Sequence, residues 1–429
     1  MSGNLQPTPM KPQNFPESLI WYSMILTYLL YLVGGLYVLG PVLAVVLLGY
    51  LVYRWWYQTD STPESDRIEI PWIIWVWVAG MLVELVALVV AHLNFDLGTS
   101  TMIKSSIGWA KGWALLAIFP MIGCLNIRPQ VIYRATCIVG LQTIIVTPFL
   151  YLSHFIGLRS LLYTSPLSVL ADPLFFQVRL FFADFEGFRL TYFAPWSPAA
   201  GMMGNIYFFL ALQEKDPKWR WIGVAGSLLM CFLSKARAAP LGLVCVAIAV
   251  LAVRYLAKPL FLILLGVATT VAGMVAPMLI SAASAYWSNF RSARANSTRV
   301  RETLQEIALY RWWNEAPIWG HGVVERGPKL VEFKPIGTHH TIFSLLFVKG
   351  IVGLIAFAIP MVLSIVDLVI RAQQSRTALV GFSVILLMTF YSFSANLEVL
   401  AYLFWPGLVV MGIAFAEKYD KPFVRSLVE

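Results

Sequence analysis

Two adjacent histidines stand where the sequence changes from a polar loop to a long apolar run. His339 and His340 open the segment HHTIFSLLFVKGIVG, in a chain with five histidines among 429 residues. A neutral imidazole whose pKa is near neutrality can take a proton from a hydroxyl group, an effect worth about 100- to 10,000-fold in rate. A histidine at a membrane interface can also cap a helix or hydrogen-bond a lipid headgroup. The pair therefore predicts either a general base or an interfacial anchor.

Arg237 lies between two apolar segments, in the stretch LLMCFLSKARAAPLGL. An arginine held inside the apolar zone of a membrane costs about 2.5 to 3.5 kcal/mol on insertion scales. An anionic ligand or an internal carboxylate would offset that cost. The alternative is an arginine at a helix end whose side chain reaches the lipid headgroups.

A cluster of arginines lies in a later polar segment. Its members are Arg291, Arg294, Arg299, Arg301 and Arg311. A guanidinium binds phosphate through two hydrogen bonds, so such a cluster can neutralise a diphosphate. Arg189, in an earlier loop, is a further candidate for substrate binding. The competing interpretation is a solvated basic face against anionic lipid.

Two acidic residues interrupt apolar segments: Glu84 in the middle of one and Glu398 near the start of another. Such residues are functional candidates by default, and Glu398 is the better counter-ion for an outer arginine because it lies nearer the outer face. His92, His154 and His321 have no evident partner in the sequence and are interpreted as structural. The four cysteines lie in apolar runs without paired spacing, so we expect no metal site and no cofactor.

The elements that hold these residues are membrane helices. Hydrophobic residues make up 59% of the chain and charged residues 12%, against roughly 25% charged in a soluble domain. Apolar runs predict an all-α polytopic protein of about twelve transmembrane helices. They lie near 18–34, 36–53, 70–93, 105–125, 131–151, 196–213, 219–234, 238–256, 258–283, 341–370, 376–394 and 396–416. The net charge of +9 is scattered among these segments, so membrane lipids, and not nucleic acid, are the expected partners.

The distribution of basic residues predicts a cytoplasmic N-terminus and two long extracytoplasmic loops. The predicted divisions are a disordered cytoplasmic tail (1–17, without a signal-peptide pattern), N-terminal transmembrane helices (18–151), an amphipathic outer loop (152–195), central transmembrane helices (196–283), a catalytic extracytoplasmic loop (284–340), C-terminal transmembrane helices (341–416) and a cytoplasmic tail (417–429). Any extracytoplasmic chemistry belongs to the two loops.

Three ordered motifs resemble the superfamily of O-antigen ligases and Wzy-type polysaccharide polymerases. THHTIFSLLFVKGIVGL resembles its histidine motif, with His339, Gly350 and Gly353 in place. RETLQEIALYRWWNEAPIWGHG resembles its arginine-led helix, and LSKARAAPLGL resembles its serine-arginine-glycine turn. There are departures: His340 stands where the family usually has asparagine, Ala238 replaces a glycine, and the helix is one residue longer, so that Arg299 or Arg301 is the family arginine.

The resemblance implies a GT-C-like membrane glycosyltransferase of the bacterial inner membrane, with its site on the extracytoplasmic face and without metal. It implies a glycan donor linked to undecaprenyl diphosphate and a glycan or lipid-linked acceptor, together with a chain-length regulator as a candidate partner. His339 would be the catalytic base, and Arg237 and Arg301 would hold the diphosphate. Arg291, Arg294, Arg299, Arg189, His340 and Glu398 would contribute to substrate binding.

The motifs do not separate a polymerase, which adds the glycan to another carrier-linked repeat, from a ligase, which passes it to a lipid A core sugar or a protein. We favour a polymerase because no feature of the sequence is dedicated to a core or protein acceptor. A secondary transporter or flippase is the alternative from another class. It predicts midplane charges shared between two related halves, whereas the candidates here concentrate in the second half of the chain.

Overall fold

The chain folds into a largely helical bundle. The computed structural model describes residues 11–184, 187–255, 259–276, 278, 281, 295–336 and 340–418. The helices are α1 Phe15–Ile25, α2 Thr27–Leu32, α3 Leu36–Trp56, α4 Trp72–Asn94, α5 Thr99–Lys111, α6 Leu115–Ile122, α7 Pro129–Phe155, α8 Ser197–Ala211, α9 Pro217–Leu233, α10 Ala238–Tyr255, α11 Pro259–Met274, α12 Ala295–Glu315, α13 Thr341–Arg371, α14 Arg376–Ser392 and α15 Ala401–Ala416. The strands are β1 Leu161–Thr164, β2 Gln177–Arg179, β3 Phe182–Asp184 and β4 Gly187–Arg189.

Six helical segments of the described chain are long and apolar enough to cross a membrane. They are Leu36–Trp56, Trp72–Asn94, Pro129–Phe155, Ala238–Tyr255, Thr341–Arg371 and Glu398–Ala416. The chain is therefore a multi-pass membrane protein, as its composition predicts. The helices α8, α9, α11 and α14 have 15 to 17 residues, at or below the lower limit of about 17 for a span, so the count of twelve stays a prediction.

The segment predicted as one helix over 105–125 is divided in the structure. α5 ends at Lys111, Gly112 takes φ −121° and ψ −85°, and α6 begins at Leu115. None of the residues of α5 is buried, whereas most of α6 is. The apolar count alone could not separate a helix at the surface of the bundle from a short one inside it.

The predicted amphipathic loop forms two small antiparallel hairpins, in which β1 pairs with β2 and β3 pairs with β4. Large apolar side chains remain exposed on it; Val169 is 87% exposed and Leu170 is 53% exposed. Exposed apolar side chains of this kind favour contact with a membrane. The hairpins also carry Arg189 to the end of β4, where it is buried.

The core of the bundle is formed around α15. In the span that begins at Glu398, 89% of the residues are buried inside the protein, against 22% for α10. A helix that is apolar all round is expected in such a central position. α13 packs along α4 and contacts α12 with its N-terminal half. A small cluster that includes Val300, Leu304 and Phe347 seals the α12 contact.

Candidate functional site

Arg237 lies in the tight turn between α9 and α10, and it is half-buried. Ser234 is fully buried, donates to the carbonyl of Cys231 over 3.0 Å and accepts from the backbone N–H of Ala236 over 3.4 Å. Lys235 adopts a φ of 50°, in the left-handed region that few side chains favour. The serine of the LSKAR motif thus fixes the turn that presents the arginine.

The loop that carries the two hairpins contacts this turn directly. The backbone N–H of Leu190 donates to the carbonyl of Leu233 over 3.1 Å, which joins the residue after β4 to the last residue of α9. The guanidinium groups of Arg179 and Arg189 each lie 5.4 Å from the centre of the Phe182 ring. The structure therefore brings the loop that carries Arg189 against the turn that carries Arg237.

A chain of hydrogen bonds continues from this turn toward the histidine motif. The side-chain amide of Asn205 donates to the carbonyl of Ala239 over 2.9 Å and to the hydroxyl of Tyr391 over 3.1 Å. The Tyr391 carbonyl accepts from the N–H of Ala395 over 2.8 Å, and the Ala395 carbonyl accepts from the N–H of Thr341 over 3.1 Å. Hydrogen bonds between buried polar groups fix the relative positions of the elements that carry them. This path places the Arg237 turn and the start of α13 at the same end of the bundle.

His340 is the N-cap residue of α13 and is buried. Its ring lies 4.4 Å from the ring of Phe343 and 5.7 Å from that of Phe393. Burial lowers the pKa of His340 to about 4, so this ring is neutral at neutral pH. The neighbouring residue, His339, lies outside the described residues, as do Arg291 and Arg294.

Arg299 and Arg301 are both exposed on α12. Val300 lies between them and is buried against α13 together with Leu304 and Ala308. Because consecutive helical residues are about 100° apart, the two arginines flank this buried stripe on opposite sides. The two arginines therefore leave α12 in different directions.

Glu398 lies inside the bundle, beside the α5–α6 junction. Its Cγ is so close to Gly112 that a Cβ added there would lie 2.6 Å away. The Nζ of Lys349 lies 4.3 Å from the centre of the ring of Trp113, the next residue. Lys349 also donates to Oε2 of Glu84 over 2.5 Å, and these two side chains are 2% and 0% exposed. The ionic partner of Glu84 is thus Lys349 of α13. It is not an arginine, which the sequence analysis considered as the partner of an intramembrane acid.

Gly350, the first glycine of the histidine motif, breaks α13. Gly350 has φ 64° and ψ −164° inside the helix, a backbone conformation that is essentially restricted to glycine. The break frees the carbonyls of Phe347 and Val348, which accept from the N–H groups of His321 and Gly322 over 2.8 and 2.9 Å. On the C-terminal side of the break, carbonyls of the loop 317–322 accept hydrogen bonds from α13.

After Gly350, the N–H groups of Ile351 and Val352 donate to the carbonyls of Pro317 and Ile318 over 3.0 and 3.3 Å. A Cβ on Gly320 would lie 2.5 Å from the backbone nitrogen of Gly350, so the two backbones touch. We name the four hydrogen bonds from 317–322 to α13 the interlock. The interlock explains why the proline–glycine loop and the glycine-containing helix occur together in the sequence.

A charged network lies beside the interlock. Arg311 donates to Glu315 over 2.8 to 3.1 Å and to Glu325 over 2.6 Å. His321 is buried, with Nε2 2.9 Å from Glu315 and Nδ1 3.0 Å from the carbonyl of Phe347. Arg311, and less strongly His321, hold the pKa of the Glu315 carboxyl below its ordinary value. His321 therefore has partners that sequence reasoning did not find, since they meet only when the loop folds back.

Two further residues of the outer half escaped sequence reasoning. Lys349 is a lone charge in the apolar run FSLLFVKGIVGL, and such a charge inside a membrane helix is a signal for function or pairing. Arg179 gave no signal, because its position beside Arg189 depends on the pairing of short strands. Among the described residues no cluster of histidine, cysteine and acidic side chains could hold a metal.

Comparison with known proteins gives a family match that covers this region. Residues 222–358 match the family model described as O-antigen ligase. The matched range includes the Arg237 turn, α12, the interlock and both glycines of α13. A search of curated proteins found no match. The match agrees with the three motifs: the chain is a multi-pass membrane protein whose residues 222–358 are similar to the O-antigen ligase family.

Proposed function

We propose that the protein is a Wzy-type polymerase of the bacterial inner membrane. It would transfer a glycan from undecaprenyl diphosphate to the sugar hydroxyl of another carrier-linked glycan on the extracytoplasmic face. The observation that carries this proposal is the hydrogen-bond path from Ala239 through Asn205 and Tyr391 to Thr341. The path supports a single reaction centre formed by the arginine turn and the histidine motif, which are about one hundred residues apart in the chain.

The proposed step is one displacement. The acceptor hydroxyl oxygen attacks the anomeric carbon while its proton passes to the imidazole of His339. The bond from that carbon to the phosphate oxygen breaks, and its electron pair leaves with undecaprenyl diphosphate. Arg237, with Arg301 or Arg299, stabilises the charge that grows on the diphosphate, which is where fixed cations lower a barrier most. Attack opposite to the leaving group inverts the anomeric centre.

His339→Ala tests the base. We expect release of free undecaprenyl diphosphate from a carrier-linked oligosaccharide to fall about 100- to 10,000-fold, because general-base catalysis contributes that much. The measurement is a time course with purified full-length protein in lipid nanodiscs. Lys329→Ala, an exposed lysine of the same outer segment, is the matched control and should keep the wild-type rate.

Undiminished release by His339→Ala would refute the role of His339 as the base. If no carrier-linked donor releases undecaprenyl diphosphate, the transporter or flippase hypothesis becomes the favoured one. In the same assay, Arg299→Ala and Arg301→Ala identify which side of α12 faces the diphosphate. The variant with the larger loss marks the binding arginine, and equal wild-type rates in both would remove α12 from the proposed site.

A deletion strain separates polymerase from ligase. A polymerase deletion should abolish the long-chain ladder of surface polysaccharide while single repeats are still attached to the lipid A core. The readout is the banding of lipopolysaccharide on a silver-stained gel, with the gene restored on a plasmid as the control. Complete loss of capping, single repeats included, would instead assign the ligase reaction.

A further inference from the structure

An open groove lies between α12 and the hairpin that follows the interlock, and none of the proposed catalytic residues lines it. Its volume is about 560 Å³, within the range of about 300 to 1,000 Å³ that ligand sites occupy. One wall is the α12 face that carries Glu306 and Tyr310; the other carries Arg326 and Ile336. Tyr310 is 70% exposed, although it is a large aromatic side chain.

The walls of the groove are held in place. Residues 325–336 form a hairpin, because the N–H of Ile336 donates to the carbonyl of Glu325 and that of Gly327 donates to the carbonyl of Lys334, each over 2.9 Å. Ile336 is buried in the cluster that joins α12 to α13. A fixed wall limits the ordering cost when a ligand binds.

The charges of the groove do not suit a diphosphate. Of its lining residues, Glu306 and Glu315 are acidic and Arg311 and Arg326 are basic. The guanidinium of Arg311 is already shared by Glu315 and by Glu325. A site without excess positive charge, with carboxylate acceptors, a guanidinium donor and an exposed aromatic ring, matches the hydroxyl groups and apolar faces of a sugar.

One wall of the groove is close in sequence to the proposed reaction centre. Ile336 lines the groove and is three residues before His339, and three residues span at most about 11 Å. The backbone of the proposed base therefore lies within that distance of the backbone of Ile336.

We infer that this groove is a saccharide-binding subsite, which holds the glycan beside the reaction centre with Tyr310 against a sugar face and Glu306 accepting from sugar hydroxyls. The inference rests on the proposed function, because it takes the ligand to be the glycan that is transferred or extended. The same chemistry would recognise the sugars of the acceptor or of the donor.

Binding is tested directly with a soluble probe, the oligosaccharide released by mild acid from the producing strain's own surface polysaccharide. Tyr310→Ala and Glu306→Gln should each weaken its binding to full-length protein in nanodiscs by about two- to tenfold, the range typical of one aromatic contact or hydrogen bond. Saturation-transfer NMR gives the Kd. Trp313→Ala is the matched control, since Trp313 lies on the same helix, is 69% exposed and does not line the groove.

Kinetics of undecaprenyl diphosphate release identify which glycan uses the groove. An increase in the acceptor KM of Tyr310→Ala, with kcat within about twofold of wild type, assigns the subsite to the acceptor; the same increase in the donor KM assigns it to the donor glycan. Equal Kd values for Tyr310→Ala, Glu306→Gln and Trp313→Ala would overturn the subsite. If wild-type protein binds the oligosaccharide but releases no undecaprenyl diphosphate, the subsite stands and the proposed function fails.

Discussion

Lys349→Met is expected to destabilise the fold by about 3 to 5 kcal/mol, because it leaves the buried carboxylate of Glu84 without its cation. The Nζ of Lys349 lies 2.5 Å from Oε2 of Glu84, and neither side chain is more than 2% exposed. Its ammonium also lies over the ring of Trp113, a contact worth about 2 kcal/mol when desolvated. The measurement is the thermal midpoint of the purified protein in detergent, followed by tryptophan fluorescence.

Two comparisons separate the ion pair from the mere loss of a lysine. Lys334→Met removes the cation of the exposed pair with Glu332 and should leave the thermal midpoint close to that of the wild type, because solvent screens exposed pairs. The double variant Glu84→Gln/Lys349→Met removes both charges and should recover most of the lost stability. If Lys349→Met is as stable as Lys334→Met, the buried pair contributes no ionic stabilisation.

Gly350→Ala is the second substitution with a large expected effect. The φ of 64° and ψ of −164° at this position cost a residue with a side chain about 1 to 3 kcal/mol. In addition, the new Cβ would lie 2.2 Å from the carbonyl oxygen of Ile318, a backbone atom that the interlock holds in place. We expect the interlock to open and little monodisperse protein to be recovered, as measured by fluorescence-detected gel filtration.

Gly49→Ala is the matched control for this substitution. Gly49 lies within α3, and no heavy atom would lie within 4 Å of an added Cβ. Alanine there should be neutral or stabilising by up to about 1 kcal/mol, since alanine is the better helix former. Equal recovery and equal thermal midpoints for the two variants would contradict the described break in α13.

Helices were predictable from the sequence because their signal is local. The helix predicted near 70–93 is α4, Trp72–Asn94, and the one predicted near 131–151 is α7, Pro129–Phe155. Periodicity and length report such segments from neighbouring residues alone. The break at Gly112 was missed because the run 105–125 is apolar on both sides of it.

The contacts that form the candidate site could not be predicted in the same way. Lys349 and Glu84 are 265 residues apart, and nothing in the sequence of either segment indicates that the two side chains are in contact. His321 appeared unpartnered in the sequence because its two contacts, Glu315 and the Phe347 carbonyl, depend on the fold of the loop. The motif residues could be identified from the sequence, because the resemblance to the family extends to individual positions. The distances and contacts between them could not.

The interlock also decides how α13 can move. A helix broken at a glycine is ordinarily a place where the chain bends. Here the loop 317–322 makes two hydrogen bonds with residues before Gly350 and two with residues after it. The loop therefore holds the two parts of the helix in a fixed relative position. α13 is therefore kinked at Gly350 but held rigid there. Under the proposed function, an opening that admits the donor is expected to come from other elements, such as the hairpins formed by β1 to β4.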